Sequence, residues 1–429
     1  MRIAIVGSGL FRFSFDDPSY VVFLAQYLAS KGHQVTVIDR RHDRAEASVE
    51  RSDGLSVVRL GAPRFDRLLR PLPDSGYRPA WVDSFLNEFS PASFLNESSF
   101  ALCAGGYLSR RTFDVIQSYS TLSSFLLLTL FSGFRRRFVY ASITNRRGKE
   151  DKTVVDRLAL LLENTVGRLS RKIVFCDELT LQRFRQDTGV APRRTVLIPI
   201  GVEVDLFRPG VSTKGIREKY ELTGEVVVLF VGRIAPEKGV AYLIEAADFI
   251  VRQRGHTNVM FLLVGPLGER GPLAVHGSPY ASHISNMIQS RGLQGHVKML
   301  GEVPRSSLPM LYSASDIFVL PTLAEQSPVV VKEAMAAGRP VVSTLVDGLP
   351  ALVREGENGF LVEPRHVEPL ALRLEELIAD ENLRRAIGEN NRRRAVAEFG
   401  LPAMGEAWVQ LLRSLGVEHD SKGHRRGRR

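Results

Sequence analysis

The run Val226-Val227-Val228-Leu229-Phe230-Val231-Gly232-Arg233-Ile234-Ala235-Pro236-Glu237-Lys238-Gly239 joins an apolar hexapeptide to a basic, Gly-bounded turn. Six apolar residues with no polar alternation predict a strand buried on both faces, as in a parallel sheet. Beyond the turn, Leu243, Ala246, Ala247 and Ile250 recur at helical spacing and predict a helix over 240–252. The pattern then repeats. Strands are expected at 258–265, 297–301, 316–321, 340–345 and 359–362, with helices at 282–291, 306–314, 329–337 and 350–355. Gly338 and Pro340 supply a normal helix stop. Alternation at this spacing means a parallel sheet covered by helices on both faces.

The first half reads the same way, with strands at 2–7, 34–39, 55–60, 114–119, 138–144, 172–176 and 195–200. An irregular Pro-, Arg- and aromatic-rich stretch at 61–91 reads as an insertion. Pro209, Gly210, Ser212, Thr213 and Gly215 mark a change of domain near 208–221. Ligands of such sheets sit at the carboxyl ends of the strands, so two α/β units imply substrates bound there.

Composition narrows the class. The chain has 429 residues, enough for two or three domains at roughly 150 each. At 44% hydrophobic and 24% charged residues it has the balance of a globular protein, which excludes disordered and collagen-like chains. Cys103 and Cys176 are too few for a disulfide framework. The N-terminus reads as a first strand rather than a signal peptide, and no apolar run approaches the ~18 residues of a membrane span. A cytoplasmic protein is expected.

The net charge of +10 is unevenly placed. Residues 1–210 hold 30 Lys and Arg against 22 Asp and Glu, whereas residues 211–429 hold 27 against 25. One half is therefore basic. It either meets an anionic partner or is a plain solvated arginine-rich surface.

Three segments carry candidate chemistry, and all follow strands of the second half. Arg233 and Lys238 flank a turn leading into a helix, where two cations and the helix dipole suit a diphosphate. The plainer alternative is a surface turn with two solvated bases. Glu325 lies on the loop before a helix for which Ser327 is the expected N-cap and Pro328 a first-turn residue, and Glu333 lies inside that helix. Two carboxylates so placed can accept bonds from vicinal hydroxyls at different ends of one ligand. A capped surface helix with two ordinary acids is the alternative. The third segment is Val264-Gly265-Pro266 with 297–301, where strand ends offer backbone groups to a base.

Taken together, the 232–239 turn, the Glu325 and Glu333 pair, Pro199-Ile200-Gly201-Val202 with Phe207 and Pro209, and 356–362 resemble the retaining glycosyltransferases of family 4. The resemblance covers nearly all of 172–415 and, less distinctly, 1–60. It implies the GT-B fold, α/β with two facing Rossmann-like domains and a last helix crossing back to the first. The domains expected are an acceptor domain at 1–208, a nucleotide-sugar donor domain at 209–398, a crossing-back helix with Trp408 at 399–415, and a basic disordered tail at 416–429.

The implied reaction moves a sugar from a nucleotide-diphosphate donor to a glycan, lipid or small-molecule acceptor, with retention and without a metal or other cofactor. By resemblance, Arg233 and Lys238 hold the diphosphate in place of a metal. Glu333 binds the ribose, and Glu325 binds the donor sugar near its reacting end. Gln326, Ser327 and Val329 at the helix start, Gly265, and Gly9 of the first Gly-rich loop complete the implied donor site.

The chain also departs from the family. No histidine lies between His42 and His256, where members often carry imidazoles. The matching stretches read Gln117-Ser118-Tyr119 and Ser142-Ile143-Thr144-Asn145, and Thr144 and Asn145 are the expected substitutes. Pro328 and Ile200 replace the commoner Gly and Asn. The alternative function is an NAD-dependent oxidoreductase built on Gly7-Ser8-Gly9-Leu10-Phe11-Arg12 and Asp39, although Arg12 stands where that fingerprint has its third Gly. Arg135-Arg136-Arg137, Arg146-Arg147 and Lys149 suggest an anionic membrane surface as a partner. Nucleic acid is not expected, since neither a recognition helix nor an aromatic-basic RNA motif is visible.

Overall fold

The computed structural model describes residues 1–7, 20–41, 49–63, 91–142, 154–267, 279–325 and 327–426. In chain order the strands are β1 Arg2–Val6, β2 Gln34–Arg40, β3 Val49–Ser52, β4 Leu55–Leu60, β5 Val115–Ser118, β6 Phe138–Ser142, β7 Lys172–Phe175, β8 Thr195–Leu197, β9 Val226–Val231, β10 Val259–Val264, β11 Val297–Gly301, β12 Ile317–Leu320, β13 Val341–Thr344 and β14 Gly359–Val362. The helices are α1 Tyr20–Ser30, α2 Pro91–Ser109, α3 Thr121–Leu130, α4 Val154–Leu169, α5 Glu178–Thr188, α6 Lys214–Lys219, α7 Val240–Asp248, α8 Pro279–Ser290, α9 Leu308–Ala314, α10 Val329–Ala336, α11 Leu349–Leu352, α12 Val367–Ala379, α13 Glu381–Arg394 and α14 Leu401–Arg426.

The chain forms two units. The first is Met1–Pro199 with Met404–Arg429, and the second is Ile200–Ala403. The first holds an eight-stranded sheet in the order β3-β4-β2-β1-β5-β6-β7-β8, parallel except for the β3/β4 edge pair. The second holds a six-stranded, wholly parallel sheet, β11-β10-β9-β12-β13-β14. Each order reverses beside its first strand, with β1 between β2 and β5 and β9 between β10 and β12. That crossover opens a crevice at the carboxyl ends of the strands.

The apolar runs explain the second sheet. Val228, Leu229, Phe230, Phe261, Leu262, Phe318 and Val319 are at most 1% exposed and share one core. At the basic turn after β9, Gly239 takes a φ of +69°, and a Cβ there would meet the Pro321 carbonyl oxygen at 1.8 Å. No side chain fits, so Gly239 lets α7 start hard against the loop that follows β12.

Several expectations require correction. The units divide at Pro199–Ile200, before the turn-rich 208–221 segment, because Val202, Val204 and Phe207 pack into the second core. The last helix does not stop at residue 415. Helix α14 runs to Arg426, and 401–426 holds no proline beyond Pro402 in its first turn to break it. From Met404 on, α14 belongs to the first unit, where Gly405 lies so close to Tyr27 of α1 that a Cβ would come within 2.5 Å of the ring. Edge strand β3 and helix α2 were not expected, and the expected strand at 195–200 ends at Leu197. Most of the irregular 61–91 stretch, with Gly9, Thr144, Asn145, Arg146, Arg147 and Lys149, lies outside the described residues.

Candidate functional site

The second unit gathers its chemistry at the carboxyl ends of β9, β10 and β12. After β9, Gly232 donates to the Val264 carbonyl at 2.9 Å, and Ile234 donates to that of Pro266 at 3.0 Å. The turn 232–239 is thereby tied to the end of β10. Gly265, at a φ of +142°, would drive a Cβ to 2.0 Å from the Gly232 oxygen. Its N–H donates to Gly301 at 2.9 Å. That donor, expected for a base, is spent inside the sheet, and what Gly265 contributes is the close approach of two loops.

On its other side the turn is tied to the loop after β12. Leu323 N–H and Thr322 Oγ1 both donate to the Glu237 carbonyl, at 2.8 and 3.0 Å. This brings Lys238 into an ion pair with Glu325 across 87 residues of sequence, with side chains 18% and 19% exposed. The Glu325 N–H donates to Asp347 Oδ2 at 3.0 Å, and its carbonyl accepts from Gly348 at 3.2 Å. Asp347 holds a φ of +42°, a strained conformation for a non-glycine residue. Arg233 is more exposed and pairs with Glu237 at 2.6 Å.

Glu333 occupies a different environment. It is buried in α10, where Tyr312 donates to its Oε2 at 2.9 Å and Arg305 approaches Oε1 at 3.7 Å. Arg305 is shared with Glu203. Burial pushes the Glu333 carboxyl above the usual carboxylate range, against the opposing pull of the Tyr312 hydrogen bond and the Arg305 charge. Burial and the neighbouring Glu333 charge likewise raise Tyr312.

The start of α10 differs from expectation. Pro328, not Ser327, is the N-cap residue and makes no side-chain capping bond, and the helix begins at Val329. The Ser327 oxygen is taken by Lys332 Nζ at 2.9 Å. Gln326 lies outside the described residues. Tyr312, Arg305, Glu203, Asp347 and Lys332 were not singled out from sequence. Four of them come from distant segments. Lys332 alone carried a signal, a charge in the apolar face of a buried helix.

A 760 Å³ cavity in this unit lies elsewhere, at the opposite ends of the strands, where Val226 and Pro340 stand beside Arg217 and Arg392. In the first unit, Asp39 is 1% exposed and accepts from the Arg40 N–H at 2.8 Å. Gln117, Ser118 and Ser142 are buried too, bonded to Tyr119, Ser124 and Glu163 respectively. Glu97, held by Ser120 at 3.0 Å and Ser123 at 2.6 Å, is raised by burial.

Two Rossmann-like units of this kind define the GT-B class of α/β proteins. Known proteins agree. Residues 212–394 match the model of glycosyl transferases group 1, and residues 19–201 match that of the glycosyl transferase 4-like domain. The chain is 33% identical over 379 residues to D-inositol 3-phosphate glycosyltransferase of Geodermatophilus obscurus, covering 85% of this chain and 78% of that protein. Sucrose-phosphate synthase from Thermosynechococcus elongatus superposes with a TM-score of 0.77 at 24% identity, over 97% of this chain and 99% of that one. Anabaena HepE in complex with UDP-glucose superposes with a TM-score of 0.67 at 20% identity, over 96% and 100%. The chain belongs to the family 4 glycosyltransferases with the GT-B fold, and it is a glycosyltransferase rather than a dehydrogenase.

Proposed function

We propose that this glycosyltransferase moves a sugar from a nucleoside diphosphate donor, with retention of configuration and without a metal, and that the second unit binds the donor. The observation that carries the reading is the convergence at one set of strand ends. The Lys238–Glu325 pair, Arg233 and the start of α10 come together there, and Glu333 is buried within α10. Arg233, Lys238 and the N–H groups of α10 from Val329 onward supply positive charge where a leaving diphosphate gains negative charge. Glu325 accepts hydroxyls of the donor sugar, and Glu333 accepts those of the ribose. As the anomeric C–O bond to the diphosphate breaks, the departing phosphate oxygen takes the acceptor's proton on the same face, and the acceptor oxygen bonds to that carbon. No protein base is needed.

The acceptor belongs to the first unit and is a glycan, a lipid-linked sugar or a small polyol. The Geodermatophilus relative is named for D-inositol 3-phosphate, which makes phosphorylated inositol one acceptor to try. In a thermal-shift screen, the matching nucleoside diphosphate sugar is expected to raise Tm by several degrees at about 100 Kd, where binding contributes about 2.7 kcal/mol. A flat response to every uridine, guanosine and adenosine diphosphate sugar at millimolar concentration would sink the reading.

The basic first unit favours an acceptor at an anionic membrane. Arg2, Arg51, Arg110 and Arg111 line a 630 Å³ cavity with no carboxylate in its lining among the described residues. Arg136, Arg137 and Arg171 line a neighbouring one of 570 Å³. The protein is expected to sediment with anionic liposomes at low salt and to be released by about 0.5 M salt, where screening is short-ranged. Equal sedimentation with neutral liposomes excludes this attachment.

A further inference from the structure

Lys332 is a fully buried cation to which the donor-site reading gives no task. Its Nζ donates to the Ile200 carbonyl and to Ser327 Oγ, both at 2.9 Å, and stands 5.5 Å from the Phe399 ring centroid. An ammonium has donors only. In the contact with Ser327 the hydroxyl oxygen is therefore the acceptor, and its own hydrogen points away from Lys332. A hydroxyl polarised by a buried cation is also a stronger donor. A serine capping a helix would instead accept from a backbone N–H. Here Lys332 occupies that oxygen, and Pro328 brings no N–H of its own. A backbone donor has been lost at the start of α10, and an oriented side-chain donor stands next to it.

We propose that Lys332 and Ser327 form a relay that supplies one fixed hydrogen-bond donor to the donor diphosphate. Ser327 touches an oxygen of the β-phosphate, and Lys332 acts through it as a positioning residue. The proposal rests on the donor-site reading above. A phosphate oxygen only accepts, and a hydroxyl whose oxygen already holds Lys332 Nζ has its hydrogen free to meet it.

The test is calorimetric titration with UDP, GDP and ADP against UMP, GMP and AMP. Ser327→Ala is expected to weaken the diphosphate about tenfold, the worth of one charged hydrogen bond, and to leave the monophosphate unchanged. Ser327→Thr keeps the hydroxyl and should restore affinity, whereas Ser327→Val should not. Lys332→Met should cost as much as Ser327→Ala, and the double variant no more than either, because the two act as one. The relay is overturned if Ser327→Ala binds diphosphate like the wild type, if it weakens both nucleotides equally, or if the two variants are additive. Should Lys332→Met fail to fold, the Ser327 series decides alone. A wild-type protein that binds none of the three diphosphates refutes the donor-site reading, whereas tight wild-type binding indifferent to Ser327 refutes only the relay.

Discussion

Glu333→Gln is expected to weaken nucleoside diphosphate binding about 100-fold while leaving Tm unchanged or raised. The affinity loss follows from two ribose hydroxyls that lose a charged acceptor, at about 1.5 kcal/mol each as a lower figure. The stability result follows from burial. Glu333 sits 3% exposed with its carboxyl pushed above the usual range. Folding therefore disfavours ionisation of this carboxyl relative to the unfolded chain, and stability is lost as pH rises from the ordinary carboxylate range through the raised value. The substituted glutamine would carry no such cost and can still accept from Tyr312. The Tm difference between variant and wild type should accordingly vanish at acid pH and open as pH rises toward neutrality. Nucleotide titration and melting curves from about pH 4 to 8 check both parts. An unchanged affinity would remove the ribose role, and a variant that melts lower at every pH would show that ionised Glu333 is net stabilising.

The same carboxylate shows where sequence reading succeeds and where it stops. The strands of the second unit were legible because uninterrupted apolar runs such as 226–231 fit little else, and the carboxyl-end position of the turn and the Glu pair followed from their coming directly after expected strands. Tyr312, Arg305 and Glu203 were not legible. Each is an ordinary residue in its own segment and meets Glu333 only through tertiary packing. The failed N-cap at Ser327 has a similar cause, since a competing partner five residues on, Lys332, takes the oxygen that local capping rules assign to the backbone. In the first unit the alternation is less tidy, and edge strand β3 is too short and polar to announce itself. Helix α2 begins at Pro91 after a stretch whose prolines and arginines mask any period.

Lys238→Ala is expected to lower kcat about 1,000-fold with little change in KM for the donor. Two effects act in the same direction. The variant removes a cation from the place where the leaving diphosphate gains charge, and losing one such group costs about 100- to 1,000-fold. It also strips Glu325 of its ion-pair partner. An uncompensated carboxylate, 19% exposed, would then face the diphosphate, and like charges in a partly desolvated site repel more strongly than in water. Because the leaving group carries more charge in the transition state than in the bound donor, the loss belongs to kcat rather than to ground-state binding. Lys238→Arg keeps the charge, although its planar fork is larger than the ammonium, and it should retain at least about a tenth of the activity. Adding Glu325→Gln to Lys238→Ala should recover part of the loss by removing the opposing charge, even though Glu325→Gln alone is harmful. That reversal of sign separates electrostatic opposition from simple misfolding, which a second substitution would deepen. Steady-state rates of nucleoside diphosphate release for the four variants measure it, and a Lys238→Ala enzyme within about threefold of wild type would take Lys238 out of the chemistry.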